Sequence, residues 1–499
     1  MGPKGLLDIP PDILLAIVCS LDVRDVLSLE QTCKKLQELA TARHLWISLF
    51  QRLDLACAPD LPPHVDVSEL SSSELRTLVV NAVRVYHQTL SGAARYYLKA
   101  SVVPNNPQGT FGSLRSRLGT SSATLAPGGR YLFLMWSEDV IQIYDLECNS
   151  SCVWTYRPNN IMALKSRLDF INLNYAFEVY QDRTITVLTG NYERENTQTW
   201  LEVHRLIPSV HRPGTFESER VYVHKTAPFF ALAPLVWADY AVTQHGTTFT
   251  VINWRQRWST EIQCSSPGAG FQCSLLQNTM FFCEMVLTST GQICTLTAFQ
   301  LEQIDSVRNA AKNPAEIHID QLDTCSLKFQ VPIGIVLRPN VTDLPWTGRR
   351  KRVLISLVTM QRELPADLSK LLAYEFSYEP DAYSTARLRS ISHTTKAVPN
   401  ALYIVTGPSQ TRSGLLVYSI PQSQLTAQCY GPVEEEKIVM KVGVDKDGEL
   451  FLADLPPEIL DYYKGVARPS SVGVSMEHYS GALVFFSEQS KSVDIWYPA

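Results

Sequence analysis

The sequence predicts two unlike parts: a small all-α region at the N-terminal end and, after it, a large all-β domain expected to be a seven- or eight-bladed β-propeller. Three observations predict this. Apolar residues from Leu6 to Phe50 recur at helical spacing in short bursts separated by turn signals. From about Ala100 that periodicity gives way to short runs of Val, Ile, Thr, Tyr, Phe and Trp between Gly, Pro, Asn and Asp clusters. These runs pair at intervals of roughly forty to sixty residues, closer to the spacing of propeller blades than of one sandwich, with stacked sandwiches as the alternative. The expected organisation is a helical domain over 1–55, a linker and junction helix over 56–99, and the β domain over 100–499.

In chain order, Pro10 and Pro11 suit a helix start, where their missing N–H groups would be unsatisfied anyway. Ile13, Leu14, Ile17, Val18 and Leu21 then mark one broad apolar stripe. Asp22 is placed to cap a second helix whose face carries Val26 and Leu29, with Asp25 near its positive end. Cys33, Leu36 and Ala40 continue into a third piece, and Leu45, Trp46, Leu49, Phe50 and Leu53 make a fourth. A segment this short buries little core alone, so it is expected to complete its packing against another protein.

These residues resemble an F-box. The family pattern opens with Leu-Pro, an acidic residue two positions on and an Ile/Leu pair, followed by an Asp-hydrophobic pair, a Cys-basic pair and a closing Leu-Trp. The chain supplies Ile9-Pro10, Asp12, Ile13-Leu14, Asp25-Val26, Cys33-Lys34 and Leu45-Trp46. Ile9 stands for Leu, Asp12 for Glu, Thr32 where Val is common and Leu36 where an aromatic is frequent. Leu455-Pro456-Pro457-Glu458-Ile459-Leu460 matches the opening again, but Gly465 and Pro469 break any helical stripe after it, and no Cys-basic or Leu-Trp pair comes later. That second copy is read as a turn or a helical turn on a loop.

Residues Ala56 to Val67 are Pro-rich and read as a linker. A further helix then starts with Ser71 as N-cap, Glu74 completing a capping box, and Leu70 with Leu75 as a hydrophobic staple. Leu75, Leu78, Val79, Ala82, Tyr86 and Leu90 share its face, and it is expected to hold the first helices at a fixed angle to the rest.

The β runs pair as 131–136 with 140–144, 184–189 with 200–206, 240–243 with 248–254 and 280–288 with 293–301. Further pairs are 353–360 with 370–377, 401–405 with 415–420, 438–444 with 449–453, and 482–487 with 493–496. Two stretches resemble the WD-repeat family: Ala126 to Tyr131 leading to Ile141 to Leu146, and Ser492 to Trp496.

Composition excludes several classes. A net charge of −5 and pI near 6.1 leave no global basic footprint for nucleic acid or anionic membrane. Neither a signal-peptide core nor a bilayer-length apolar run is present, and eleven scattered Cys fit a reducing compartment, so an intracellular protein, cytoplasmic or nuclear, is expected. No Walker A loop, HExxH helix, GxSxG elbow or Rossmann fingerprint is found, so no enzyme activity and no cofactor are expected. Cys148 with Cys152 lacks further ligands nearby, and Cys264, Cys273, Cys283 and Cys294 in a strand-rich stretch read as core packing rather than a metal cluster. The basic run Gly348 to Arg352 reads as a solvated loop leading into a strand, with phosphate recognition as the sharper alternative, and Glu434 to Glu436 as another loop.

The F-box resemblance implies a substrate receptor of an SCF-type ubiquitin ligase, docking on Skp1 and through it on cullin, while the β domain captures a protein substrate of unknown identity. It implies that Pro10, Ile13, Leu14, Ile17, Leu21, Val26 and Leu29 form most of the docking surface, with Cys33, Leu36 and Trp46 packing the F-box or bordering it. The alternative is a Skp1-binding adaptor or scaffold acting outside a ligase.

Overall fold

A computed structural model of the chain describes residues 9–52, 67, 69–90, 95–103, 123–126, 129–137, 140–157, 174–180, 182–193, 198–212, 214–226, 232–245, 248–263, 270–276, 278–288, 291–310, 315–331, 334–336, 340–347, 350–361, 369–379, 382–390, 396–398, 416–421, 437–444, 450–454, 458–459, 472–476, 482–487 and 492–498. Five helices come first: α1 (Pro11–Ser20), α2 (Val23–Glu30), α3 (Lys34–Ala40), α4 (Arg43–Arg52) and α5 (Ser72–Leu90). Pro10 caps α1 from an extended conformation, and the Asp22 carboxylate accepts the Asp25 N–H at 2.8 Å to cap α2. One apolar core joins them, with Val18, Val23, Val26, Ala40, Leu45, Trp46, Leu49, Leu75 and Val79 buried together.

The rest is a succession of antiparallel sheets, several of them four-stranded, as in a propeller; seven sheets are seen among the described residues. The first runs Ala123–Leu125, Tyr131–Ser137, Val140–Asp145, Ser151–Tyr156, and the second Asn174–Val179, Ile185–Glu193, Gln198–Pro208, Phe216–Thr226. The third holds Leu232–Trp237, Tyr240–His245, Thr248–Asn253 and Trp258–Gln263; the fourth holds Gly270–Leu276, Thr279–Thr288, Gly291–Gln300 and Cys325–Val331. In these, each strand pairs with its predecessor, mostly because a short turn returns the chain beside the strand it has just left.

The last sheet is different. Val472–Met476, Leu483–Ser487 and Ser492–Pro498 are completed by Tyr96–Val102 from the start of the domain, antiparallel to the final strand. Val102, Val484, Val493 and Ile495 of this sheet pack with Leu125, Leu132, Leu134 and Tyr144 of the first. Tyr497 also donates its hydroxyl proton to the Gly129 carbonyl at 3.1 Å across the same junction, where Gly129 holds φ +64° in the turn before Tyr131–Ser137. Ends far apart in sequence thereby close the ring of sheets.

Most expected hairpins are present, with three differences. Leu416–Pro421 pairs with Lys437–Val444, while 401–405 lies outside the described residues. Arg350, Lys351 and Arg352 already belong to the strand Arg350–Gln361, so the basic run is not a loop ahead of it; Gly348 and Arg349 lie outside the described residues. A helix that the sequence pattern does not announce, α6 (Gln303–Ala310), comes after Gly291–Gln300, and beyond it Glu316–His318 adds to the edge of the third sheet in parallel. Its short apolar set, Ile304 with Val307, is anchored on the third sheet through Ile304, Ile317, Ile319 and Leu322. The expected linker at 56–66, Cys264, 434–436 and 455–457 also lie outside the described residues; Glu458 and Ile459 are helical.

Candidate functional site

The four-helix N-terminal unit is built so that one helix shows apolar side chains to solvent. At 3.6 residues per turn, the stripe on α1 is wider than the surface its own neighbours cover, and it divides. Leu14 and Val18 turn inward and are buried. Ile13 and Ile17, one turn apart on the flank, are 55% and 42% exposed, and Pro10 is exposed at the helix start. Isoleucines in water at this spacing are unusual for a core helix and ordinary for a binding face.

Two residues expected on the docking surface therefore belong to the interior. Leu14 and Val26 are almost fully enclosed, Val26 in the core shared with Trp46. The physical reason is that Ile13 and Leu14 lie 100° apart around α1, so Leu14 turns inward while Ile13 stays on the exposed flank, and that Val26 packs into the core with Trp46. Leu21 and Leu29 are half-buried against the same core, and Cys33, also half-buried, is the N-cap of α3. Leu36 is buried. Trp46 is fully enclosed and its indole N–H donates to the Ala40 carbonyl at 2.7 Å.

Polar contacts tie α5 to this unit. Ser71 and Glu74 form the expected capping box: the Ser71 N–H donates to the Glu74 carboxylate at 2.8 Å and the Glu74 N–H to the Ser71 hydroxyl at 3.3 Å. The Ser71 hydroxyl, also donating to that carboxylate, holds it below the ordinary Glu range. Leu75 and Val79 enter the helical core. Arg76 pairs with Glu30 of α2 at 2.9 Å and lies over the Trp46 ring at 5.9 Å, while Arg43 donates to the Leu70 carbonyl and Ser72 to the Thr41 carbonyl. The exposed stripe thus sits on a unit braced through the junction helix.

Residues 6–52 match the F-box-like family model. That span covers α1 to α4 and all the residues quoted for the resemblance. No curated protein matches the sequence. Among solved structures, the N-terminal domain of Nup159 aligns over 81% of this chain and 95% of its own at 8% identity and a TM-score of 0.37. Drosophila Plexin A in complex with Semaphorin 1b aligns over 81% and 87% at 7% identity and a TM-score of 0.39. These values carry no functional argument; the sheet order described above stands on its own pairing.

Cys273, Cys283 and Cys294 are buried on successive strands of the fourth sheet, Cys148 is exposed at a turn and Cys152 is half-buried. Among the described residues, no group of three His, Cys, Asp or Glu is placed to hold a metal. Among them too, no helix is long and apolar enough to cross a membrane.

Proposed function

We propose that the chain is the substrate-recognition subunit of an SCF-type ubiquitin ligase, docking on Skp1 through the F-box-like helices and presenting a protein held by the β domain. The observation that carries this reading is the exposed Pro10, Ile13 and Ile17 face within a segment that matches the F-box-like model. Pro10, Ile13 and Ile17 make the direct contact with Skp1, bordered by Leu21 and Leu29, and Leu14, Val26, Leu36 and Trp46 shape the helices behind them. The local likeness of 126–131 and 141–146 to WD repeats adds to the view of the β domain as a binding platform. The chain itself contributes effective concentration rather than bond chemistry, because tethering makes ubiquitin transfer to the captured protein quasi-intramolecular. Such a subunit works inside the cell.

The test is co-purification of Skp1 and cullin with the full chain, beside Ile13→Asp and Ile17→Asp. Each isoleucine desolvated on docking contributes about 1.5–3 kcal/mol, so each aspartate is expected to weaken Skp1 binding by about tenfold or more while far-UV circular dichroism stays unchanged. Leu14→Asp loses binding by unfolding the segment instead, and its dichroism shows it. Skp1 retained without cullin would favour the adaptor outside a ligase; wild type binding neither protein would end both readings.

A further inference from the structure

The fourth sheet carries a buried carboxyl group, Glu284, one of whose oxygens has no hydrogen-bond partner among the described residues. Along Thr279–Thr288, alternation puts Met280, Phe282, Glu284 and Val286 on one face. The inner part of that face packs against the third sheet, where Phe282 meets Phe249 edge-on at 5.4 Å and the Cys273 thiol donates to Gln244 at 3.4 Å. Exposure rises steadily toward the hairpin end: 0% at Met280, 3% at Phe282, 9% at Glu284 and 36% at Val286. Glu284 is the last enclosed residue before the exposed hairpin end, which forms a mouth above it.

The mouth itself is apolar. Val286 lies directly opposite Ile293 of the next strand, and Ile293 is 38% exposed, so the two form a small aliphatic shelf. Behind it, Glu284 Oε1 is sealed from solvent with no hydrogen-bond partner. Glu284 belongs to none of the ion pairs of the described residues. Thr295 is its register neighbour. A buried oxygen left without a partner is costly to the fold, and an atom kept at such a cost points to a ligand that satisfies it.

We infer that this mouth is a recognition point for a basic side chain of the captured protein, its aliphatic stem lying across Val286 and Ile293 and its cationic head meeting Glu284. Long basic side chains pack their methylenes on apolar surface while the charge reaches a carboxylate, which makes the hydrogen bond charge-assisted. The terminal torsion of a Glu side chain is broad, so the carboxylate plane rotates to present an oxygen to the incoming head without a change of χ1 or χ2. The inference rests on the β domain being the capturing part of the proposed ligase subunit and adds the chemistry of what it captures: an Arg or Lys in an exposed segment.

The experiment uses the full chain purified with Skp1 and a positional-scanning array of nonapeptides, each residue type fixed in turn at the central position. The wild type is expected to bind Arg- or Lys-fixed peptides about tenfold more strongly than Leu- or Glu-fixed ones. Glu284→Gln, of the same shape but without the charge, is expected to lose that preference. Val286→Ser is expected to weaken the same peptides while leaving the cationic preference in place. Absence of a cationic preference in the wild type, or its survival in Glu284→Gln, would overturn the inference. Skp1 retention is scored separately in every preparation, so failure of the ligase reading shows as lost Skp1 and not as a changed peptide preference.

Discussion

Arg130 and Asp145 show what a single residue pair does for this fold. Arg130 directly precedes the strand Tyr131–Ser137 and Asp145 ends the neighbouring Val140–Asp145, and the guanidinium donates from Nε to both carboxylate oxygens at 3.1 to 3.2 Å and from Nη2 to Oδ2 at 2.7 Å. The Asp145 side chain is 2% exposed, so Asp145→Ala would remove the enclosed partner of Arg130 and leave it the exposed Glu147 at 3.2 Å. The expected loss is about 1.5–3 kcal/mol of stability, measured as a shift in chemical denaturation midpoint. His224 gives a pH signature at the same scale. Burial lowers its pKa from 6.5, so as pH falls through that value the unfolded chain takes up a proton the folded chain refuses. Stability contributed by neutral His224 is therefore full above pH 6.5 and declines below it, until the folded histidine also titrates. His224→Phe is expected to flatten the thermal midpoint between about pH 6.5 and 5 relative to wild type; an unchanged profile would show that other groups set it.

At the scale of elements, the junction helix offers the sharpest test of rigidity. Leu75 is fully buried between α5 and the F-box-like helices, so Leu75→Ala is expected to cost about 2–5 kcal/mol in the helical unit and to weaken Skp1 binding although it touches no partner. Unchanged unfolding would show that α5 is not part of that core. The helices, caps and hairpins are legible in the sequence because each is written locally: Ser71 with Glu74, Asp22 with Asp25, and alternating runs such as 131–136 and 140–144 on either side of a turn. What is not legible is whichever side chain or strand takes its partner from elsewhere. Ile13 and Leu14 look alike in sequence, and only the position of α4 decides that one faces water and the other the core. Glu316–His318 cannot be read as a strand because the edge it covers belongs to another sheet. Glu284 gives no signal at all: one carboxylate among apolar residues of a strand becomes informative only when its neighbours fail to satisfy it.

For the whole molecule, the decisive contact is the one joining the two ends of the β domain. The change of sequence texture puts the start of that domain at 100, yet the closing strand begins at Tyr96, inside the span assigned to the junction, and its residue Val102 is buried against the final sheet. Local patterning cannot show this, since the partner strand Ser492–Pro498 lies at the other end of the chain. Two fragments separate the possibilities. A fragment of residues 95–499 keeps Tyr96–Val102 and is expected to unfold in one cooperative transition near that of the full β domain. A fragment of residues 104–499 exposes the edge of Ser492–Pro498 and the apolar side chains that pack on Val102, Val493 and Ile495 among them. Loss of Val102 burial alone removes about 1.5–3 kcal/mol, and an unpaired edge strand is a template for association. The shorter fragment should therefore aggregate or melt broadly, and a peptide of residues 95–103 added in trans should restore part of the cooperativity. Equal stability of the two fragments would mean that the sheets hold their ring through face-to-face packing alone, with the strand Tyr96–Val102 serving only to attach the F-box-like unit.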